Sequence, residues 1–247
     1  MRGRSRVSGD MNPVFAPLPE RSRLIRWLKR NLPKPLSVRS WESRRQFANF
    51  IRRVADHPGA RLLNVGSKSA VLGSNVFNLD IRAYPGVHVI GDGHHLPLRD
   101  RSVAGVITTS VLEHVAAPWI IVREVERVLQ PGGEVYVEVP FMQPFHPDPG
   151  DYQRYTLSGL EQLFEHFTIV EAGVCVGPSS ALAWILSEYV AVLLCFNNRC
   201  LYKIWVRLCR VLSIPLSLLD FLLHRISYSL VLASSHYLIG LKSEQVE

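Results

Sequence analysis

Two aspartates in this chain each close a short apolar run: Asp80 follows Val76–Leu79, and Asp92 stands two positions beyond Val87–Ile90. A third run, Arg61–Val65, stops at Gly66. Carboxylates and a glycine at the carboxyl ends of successive strands supply what a nucleotide-type cofactor needs. The carboxylates accept from ribose hydroxyls or an adenine amino group, and the glycine lets backbone groups come close to a charged tail. Further on, Pro140–Thr156 gathers Phe145, His146, Asp148, Asp151, Tyr152, Arg154 and Tyr155 into one proline-stiffened stretch. Of these, His146 has the intrinsic pKa of a base at neutral pH, with Asp148 or Asp151 to orient it. Arg154 could hold a phosphate or carboxylate. A second reading stays open, in which an Asp151–Arg154 ion pair and a core Tyr155 merely fix the loop. His94-His95 hints at a metal, but adjacent histidines on a loop seldom ligate a single ion, so no metal site is expected.

The elements that must position these groups follow an α/β pattern. Strands are expected at Arg61–Val65, Val76–Ile81, Val87–Ile90, Val103–Thr108 and Glu134–Val139, the last after a Pro131-Gly132-Gly133 turn. Such a pattern forms a parallel sheet with a ligand crevice along one edge. Pro118–Leu129 carries Ile120, Ile121, Val125, Val128 and Leu129 at helical spacing, and Thr156–Phe167 repeats the logic with Thr156 or Ser158 as cap. A sixth strand at Thr168–Val176 and a long closing strand at Ser229–Leu241 complete the sheet. Ahead of it, Ser40–Asp56 reads as a helix capped by Ser40, with Trp41, Phe47, Phe50, Ile51 and Val54 as its apolar stripe and Pro58-Gly59 as its stop. Gly66 and Asp80 lie 14 positions apart, and Asp80 and Asp92 lie 12 apart. The first crossover therefore has space for a short helix at most, the second for almost none.

Several motifs, taken in order, carry a resemblance. Gly91-Asp92-Gly93-His94-His95-Leu96-Pro97-Leu98, then Asp100-Arg101-Ser102-Val103-Ala104, Leu112-Glu113-His114-Val115, Arg127-Val128-Leu129 and Pro131-Gly132-Gly133 resemble a class I S-adenosylmethionine-dependent methyltransferase of the type 11-like family. The resemblance implies an α/β, Rossmann-like three-layer sandwich, its sheet mostly parallel with a final antiparallel strand and a hydrophobic helical insertion before that strand. It implies S-adenosyl-L-methionine (SAM) as cofactor, with Asp80 on the ribose diol and Asp92, Gly93, Leu96 and Ile81 about the adenine. Asn64, Gly66 and Ser67 would then meet the methionine tail, and Ser110, Val111 and His114 would flank the sulfonium. The family's first turn usually holds an acidic residue and spaced glycines; here it reads Asn64-Val65-Gly66-Ser67-Lys68-Ser69-Ala70, and Asn64 cannot serve as a charged partner for the cofactor's ammonium. The loop after the fifth strand is similar to one in methyltransferases of sugar and polysaccharide biosynthesis. That likeness assigns His146, Asp151 and Arg154 to catalysis and Phe145, Asp148, Tyr152 and Tyr155 to the acceptor, an oxygen of a glycan, a lipid-linked sugar or another small metabolite. The competing expectation is a catalytically degenerate methyltransferase fold serving as a membrane-associated scaffold.

Bulk properties add the partners. The chain of 247 residues carries a net charge of +7, but residues 1–53 alone hold 14 Lys/Arg against 3 Asp/Glu. Residues 1–39 read as a basic, partly disordered arm with a short amphipathic helix at Ser22–Asn31, and residues 40–247 as the methyltransferase domain. Within the domain, an insertion at 179–225 is apolar almost all round, with Lys203, Arg207 and Arg210 forming a basic stripe. An anionic membrane surface suits arm and insertion; a lid or a homodimer surface would read the same. Nucleic acid ranks last, because no aromatic–basic interleaving reaches the active loop. Cys175, Cys195, Cys200 and Cys209 show no paired metal-ligand spacing, and no signal-peptide core opens the chain. A cytoplasmic location, peripheral to the membrane if lipid is bound, is expected.

Overall fold

The computed structural model describes residues 39–55, 59–70 and 72–243. The basic arm and its short amphipathic helix lie outside the described residues. Seven strands form one sheet: β1 Leu62–Val65, β2 Val76–Asp80, β3 Val89–Ile90, β4 Val103–Thr109, β5 Leu129–Pro140, β6 Phe167–Val176 and β7 Ser235–Lys242. Their spatial order is β3-β2-β1-β4-β5-β7-β6. The first five run parallel, and β7 lies antiparallel to both β5 and β6. The order in which strands are added reverses between β1 and β4, which is where an open parallel sheet leaves a crevice beyond its strand ends.

Alternation along the strands separates two cores. Leu63, Val65, Val106, Val135 and Val137 face helix α2 (Pro118–Val128) and helix α3 (Leu157–Leu163), meeting Ile121, Val125, Val128 and Leu160. Leu62, Ile107, Tyr136, Tyr237 and Ile239 face helix α1 (Trp41–Ala55), meeting Phe50 and Val54. Each such fully buried side chain contributes roughly 1.5–3 kcal/mol over exposure. Helix α1 starts as its sequence predicts: the Ser40 hydroxyl accepts from Ser43 N at 3.0 Å and donates to Val174 O at 2.9 Å. Thr156 caps α3, accepting from Gly159 N.

Two expectations need correction. Pro131-Gly132-Gly133 is not a turn ahead of a strand. β5 begins at Leu129 opposite Val103, and the register slips before Gly105 meets Glu134, so the three residues form a bulge within the strand. Ser229–Leu241 is not one strand: Ser227–Leu232 winds as a 3-10 turn and only Ser235–Lys242 pairs. Apolar runs of this kind carry no period that separates helix from strand. As the short spacing allows, no helix among the described residues occupies the β1–β2 crossover.

Between β6 and β7 the chain makes α4 (Pro178–Leu194), α5 (Arg199–Leu212), α6 (Ile214–Leu218) and α7 (Asp220–Leu223). These helices are inverted relative to the core. Ser179, Ser180, Ala181, Ala183, Ser187, Ala191, Ser217 and Asp220 are buried, whereas Leu182, Leu186, Val192, Leu193, Leu212 and Leu222 are exposed. Asp220 reaches back to cap α4, its two carboxylate oxygens accepting from Ser179 N at 2.8 Å and Ser180 N at 2.9 Å. No helix among the described residues is long and apolar enough to cross a membrane.

Candidate functional site

The turn after β1 shows why Gly66 must be glycine. Its φ is +69°, and a Cβ there would stand 2.3 Å from Val111 Cγ2. The following turn residue Lys68 also has positive φ, and its N–H donates to Asp80 Oδ2 at 2.9 Å. Asp80 Oδ1 accepts from Arg82 N at 3.0 Å. The buried carboxylate at the tip of β2 is thus aimed by two backbone donors, with lone pairs remaining for a ligand.

A cavity of about 320 Å³ opens here, lined by Gly66, Asp80, Ile81, Asp92, Gly93, Ser110, Val111 and His114, all sequence candidates. Asp80 and Asp92 therefore share one cavity. Asp92 also accepts from His94 N at 2.9 Å and sits 2.7 Å from His94 Nδ1. Burial opposes its ionisation, but these His94 contacts outweigh that and hold its carboxyl below the usual range. Ser110 takes a left-handed backbone, φ +55°, fixed by its N–H donating to Glu138 O at 2.9 Å. Strain of that kind in a non-glycine residue gathers at ligand sites.

Three candidates do not reach this cavity. Asn64 lies opposite Asn78 across the β1–β2 pair and donates to its Oδ1 at 3.1 Å, on the opposite face of β1 from Val65, which lines the cavity. Leu96 packs into the α2-side core. Ser67 is buried and does not line the wall.

The loop after β5 divides its residues between roles differently from expectation. Asp148 and Tyr152, expected at the acceptor, line the first cavity. Asp148 is ion-paired with Lys68 Nζ at 2.8 Å and Arg82 at 3.1 Å. Burial raises its pKa, yet these cations carry it below the usual carboxylate range. Tyr155 is core, donating to Leu112 O at 3.1 Å and Gln153 Oε1 at 2.8 Å. Arg154 is consumed by its own loop: it donates to Gln143 O, Pro144 O and Gln153 O and pairs with Asp151. Asp151 in turn accepts from His146 N at 2.7 Å. Asp151 and Arg154 hold the loop's shape rather than line a cavity, and exposed Phe145 lines neither cavity.

His146 is the candidate that reaches the second cavity, of about 490 Å³. Its ring lies 5.4 Å from that of His114 and 5.4 Å from that of Trp184 in α4. Nδ1 is 2.8 Å from Pro144 O, which makes Nδ1 the protonated nitrogen and leaves the Nε2 lone pair 3.9 Å from Glu113 Oε1. Burial lowers the pKa of His146, but Glu113, the Pro144 carbonyl and Asp151 together raise it above its ordinary value. The rest of this wall was not read from the sequence: Arg39 of the β6-edge bridge, Gln143, Trp184, Arg210, Ser180 and Ser235. Arg210 was expected on an outward basic stripe, yet it turns inward over the Trp184 ring (4.9 Å) and pairs with Glu188 at 2.7 Å. Lys68, Ser110 and His114 line both cavities.

Comparison with known proteins agrees with this geometry. Residues 67–137 match the family model described as a methyltransferase domain. An uncharacterized methyltransferase of Mycobacterium bovis (strain BCG / Pasteur 1173P2) is 45% identical over 51 residues, 21% of this chain and 20% of that protein. An uncharacterized 37.1 kDa protein in transposon TN4556 of Streptomyces fradiae is 46% identical over 57 residues, 23% of this chain and 16% of that protein. The chain thus matches a fifth or less of the length of either relative. Among solved structures, the [4+2]-cyclase SpnF aligns over 87% of both chains with 15% identity and a TM-score of 0.51. Phosphoethanolamine N-methyltransferase 2 of Haemonchus contortus, solved with S-adenosyl-L-methionine, covers 88% of this chain and 55% of its own, with 13% identity and a TM-score of 0.50. At such identities the likeness concerns fold, and one of the two is a cyclase, so the reaction must be argued from the site. The fold is that of the class I methyltransferases, and the match to the methyltransferase-domain model falls on residues 67–137 of it.

Proposed function

We propose that the protein transfers a methyl group from SAM to an oxygen of a hydroxyl-rich acceptor, a glycan or a lipid-linked sugar. The observation that carries this is the junction: the cavity at the strand tips and the cavity under the insertion share Lys68, Ser110 and His114. A cofactor in the first can therefore present its methyl group to an acceptor in the second. Asp80 would take the ribose diol, and Asp92 with Gly93 and Ile81 the adenine. The Lys68–Asp148 pair offers one charge of each sign, the complement of a zwitterionic methionine tail. Ser180, Ser213, Ser217, Ser234, Gln143 and the Trp184 ring give the second cavity the hydroxyls and aromatic face that suit a sugar.

The reaction is an in-line displacement in which positioning supplies much of the acceleration. The acceptor oxygen forms a bond to the methyl carbon as the carbon–sulfur bond breaks, and S-adenosylhomocysteine leaves as a neutral thioether. In the metal-free protein the acceptor's proton goes to His146 Nε2, its one unprotonated nitrogen, and Glu113 stabilises the imidazolium. The outward apolar face of α4 to α7 supports an acceptor presented at an anionic membrane. Both acidic side chains of these helices, Glu188 and Asp220, are turned inward, which removes the groups that would repel such a surface.

Titration of the purified protein with SAM by calorimetry tests the reading. Binding by the wild type and its loss in Asp80→Ala are expected; no heat from the wild type would leave a degenerate scaffold in its place. Co-sedimentation with anionic vesicles, with and without residues 1–35, tests the membrane part.

A further inference from the structure

Glu113 is the least explained side chain in the molecule. Its carboxylate is fully buried, and neither oxygen has a hydrogen-bond partner. A carboxylate in that state carries a large desolvation cost unless something compensates its charge. Beside it stand two imidazoles whose Nδ1 groups are already engaged. His114 Nδ1 lies 2.7 Å from Gly150 O and His146 Nδ1 lies 2.8 Å from Pro144 O, so each ring spends its N–H on a backbone carbonyl. Each Nε2 then turns a lone pair toward Glu113 Oε1, at 3.7 Å from His114 and 3.9 Å from His146. Those separations are too long for hydrogen bonds. They are the spacing of donors spread around one ion with bonds of about 2.1 Å.

We propose that Glu113, His114 and His146 bind a divalent cation. The donor atoms all lie within 4.8 Å of one another. The arrangement has the second layer that metal-ligating histidines need, since a carbonyl on Nδ1 fixes both tautomer and ring orientation. The flanking cation Arg154, 3.3 Å from His146 Nδ1, is neutralised by Asp151, so the cluster keeps the Glu113 charge for the ion. One carboxylate and two imidazoles suit Mn²⁺, Fe²⁺, Co²⁺ or Zn²⁺, whereas Mg²⁺ and Ca²⁺ prefer oxygen throughout. Three protein ligands leave coordination positions open, and His146 and His114 both line the acceptor cavity. The ion's use in catalysis rests on the methyl-transfer reading; its binding does not. With the ion seated, His146 Nε2 is a ligand instead of a base. The acceptor hydroxyl then binds the ion, its pKa falls, and its proton is released to water in the cavity.

The test is titration of chelator-treated full-length protein with Mn²⁺, read by loss of the free-ion electron paramagnetic resonance signal. Mn²⁺ is chosen because the four free cysteines would confuse Zn²⁺. One Mn²⁺ per chain is expected, with at least tenfold weaker binding in Glu113→Gln and in His146→Ala. A free-ion signal undiminished at millimolar Mn²⁺, or both variants binding as the wild type does, overturns the proposal. Should Glu113→Gln fail to fold, His146→Ala decides alone, because His146 lies at a cavity wall and its ring can be removed without opening the core. SAM calorimetry on the same samples separates the two readings. SAM bound without Mn²⁺ removes the cation and spares the cofactor site; Mn²⁺ bound without SAM does the reverse.

Discussion

The two cavities that meet at Ser110 and His114 are built in opposite ways. The first is built mainly on the sheet: strand ends, tight turns and backbone donors fix Asp80, and the loop after β5 closes it with Asp148 and Tyr152. The second is closed on one side by helices inserted between β6 and β7, which contribute Ser180, Ala183, Trp184, Arg210 and Ser217, and whose small side chains face inward while large apolar ones face out. In the proposed reading, the cofactor would meet a wall set chiefly by backbone, and the acceptor a wall completed by side chains carried on the inserted helices. Variants on the two sides should therefore fail differently. Asp80→Ala should bring the largest effect, a loss of SAM affinity of about a hundredfold or more, from removal of a buried charged acceptor. Stability should fall by about 2 kcal/mol as well, because two charge-assisted bonds to turn N–H groups go with the carboxylate, so affinity is measured on the folded variant. SAM affinity within threefold of wild type would break the assignment of the first cavity.

The next effect concerns the insertion's own integrity. Asp220→Ala removes two charge-assisted bonds to the start of α4, and about 2 kcal/mol of stability should go with them. Urea unfolding measures the loss, and SAM affinity of the folded variant should stay within threefold of the wild type. A parallel loss of SAM binding would mean that the insertion and the strand tips are one cooperative unit.

The same division governs how much could be read from the sequence. Asp80, Asp92 and Gly66 were legible because strand ends announce themselves: an apolar run, then an acid or a glycine. Asn64 was not, because which face a side chain takes depends on strand parity, and parity is fixed only when Asn64 meets Asn78 across the pair. Arg154 had two open readings, an anion-holding cation or the partner of Asp151; what sequence cannot show is that three loop carbonyls claim it as well. Arg210 looked solvated because a basic stripe on an apolar helix has an outward reading by default, and only Glu188 and Trp184, 22 and 26 positions away in sequence, turn it in. Glu113 was visible inside Leu112-Glu113-His114-Val115, but its burial without partners is a property of the assembled loop.

On the acceptor side the expected effects are smaller and differently expressed. Trp184 supplies a ring face beside His146 and under Arg210. Trp184→Ala should raise the acceptor KM about tenfold, the size of one lost stacking contact, while SAM affinity holds. Steady-state kinetics with both substrates varied would check it. A rise confined to the SAM KM would exchange the roles of the two cavities.

The smallest expected effect separates the sides by pH. His236 of β7 is buried against the Phe141 ring at 5.1 Å, beside Ser235 of the acceptor wall. Burial pushes its pKa down to about 4, with a backbone contact to Gly173 partly opposing. A histidine neutral in the fold and protonated when unfolded costs stability as pH falls below the unfolded value near 6.5. The loss is absent above that value and grows until the folded group itself titrates. Between pH 7 and 5.5 this amounts to about 1 kcal/mol. Urea midpoints measured at the two pH values should show it in the wild type, and His236→Phe, which keeps a ring against Phe141, should be less acid-sensitive by that amount. An unchanged acid dependence in the variant would move the sensitivity elsewhere. Loss that begins only on further acidification belongs instead to carboxylates such as Asp148, whose depressed pKa gives stability that is present at neutral pH and lost only as pH drops below the ordinary carboxylate range. The two outcomes differ in where the midpoint shift begins: near pH 6.5 for the acceptor-side histidine, and below about pH 4 for the carboxylate that closes the cofactor side.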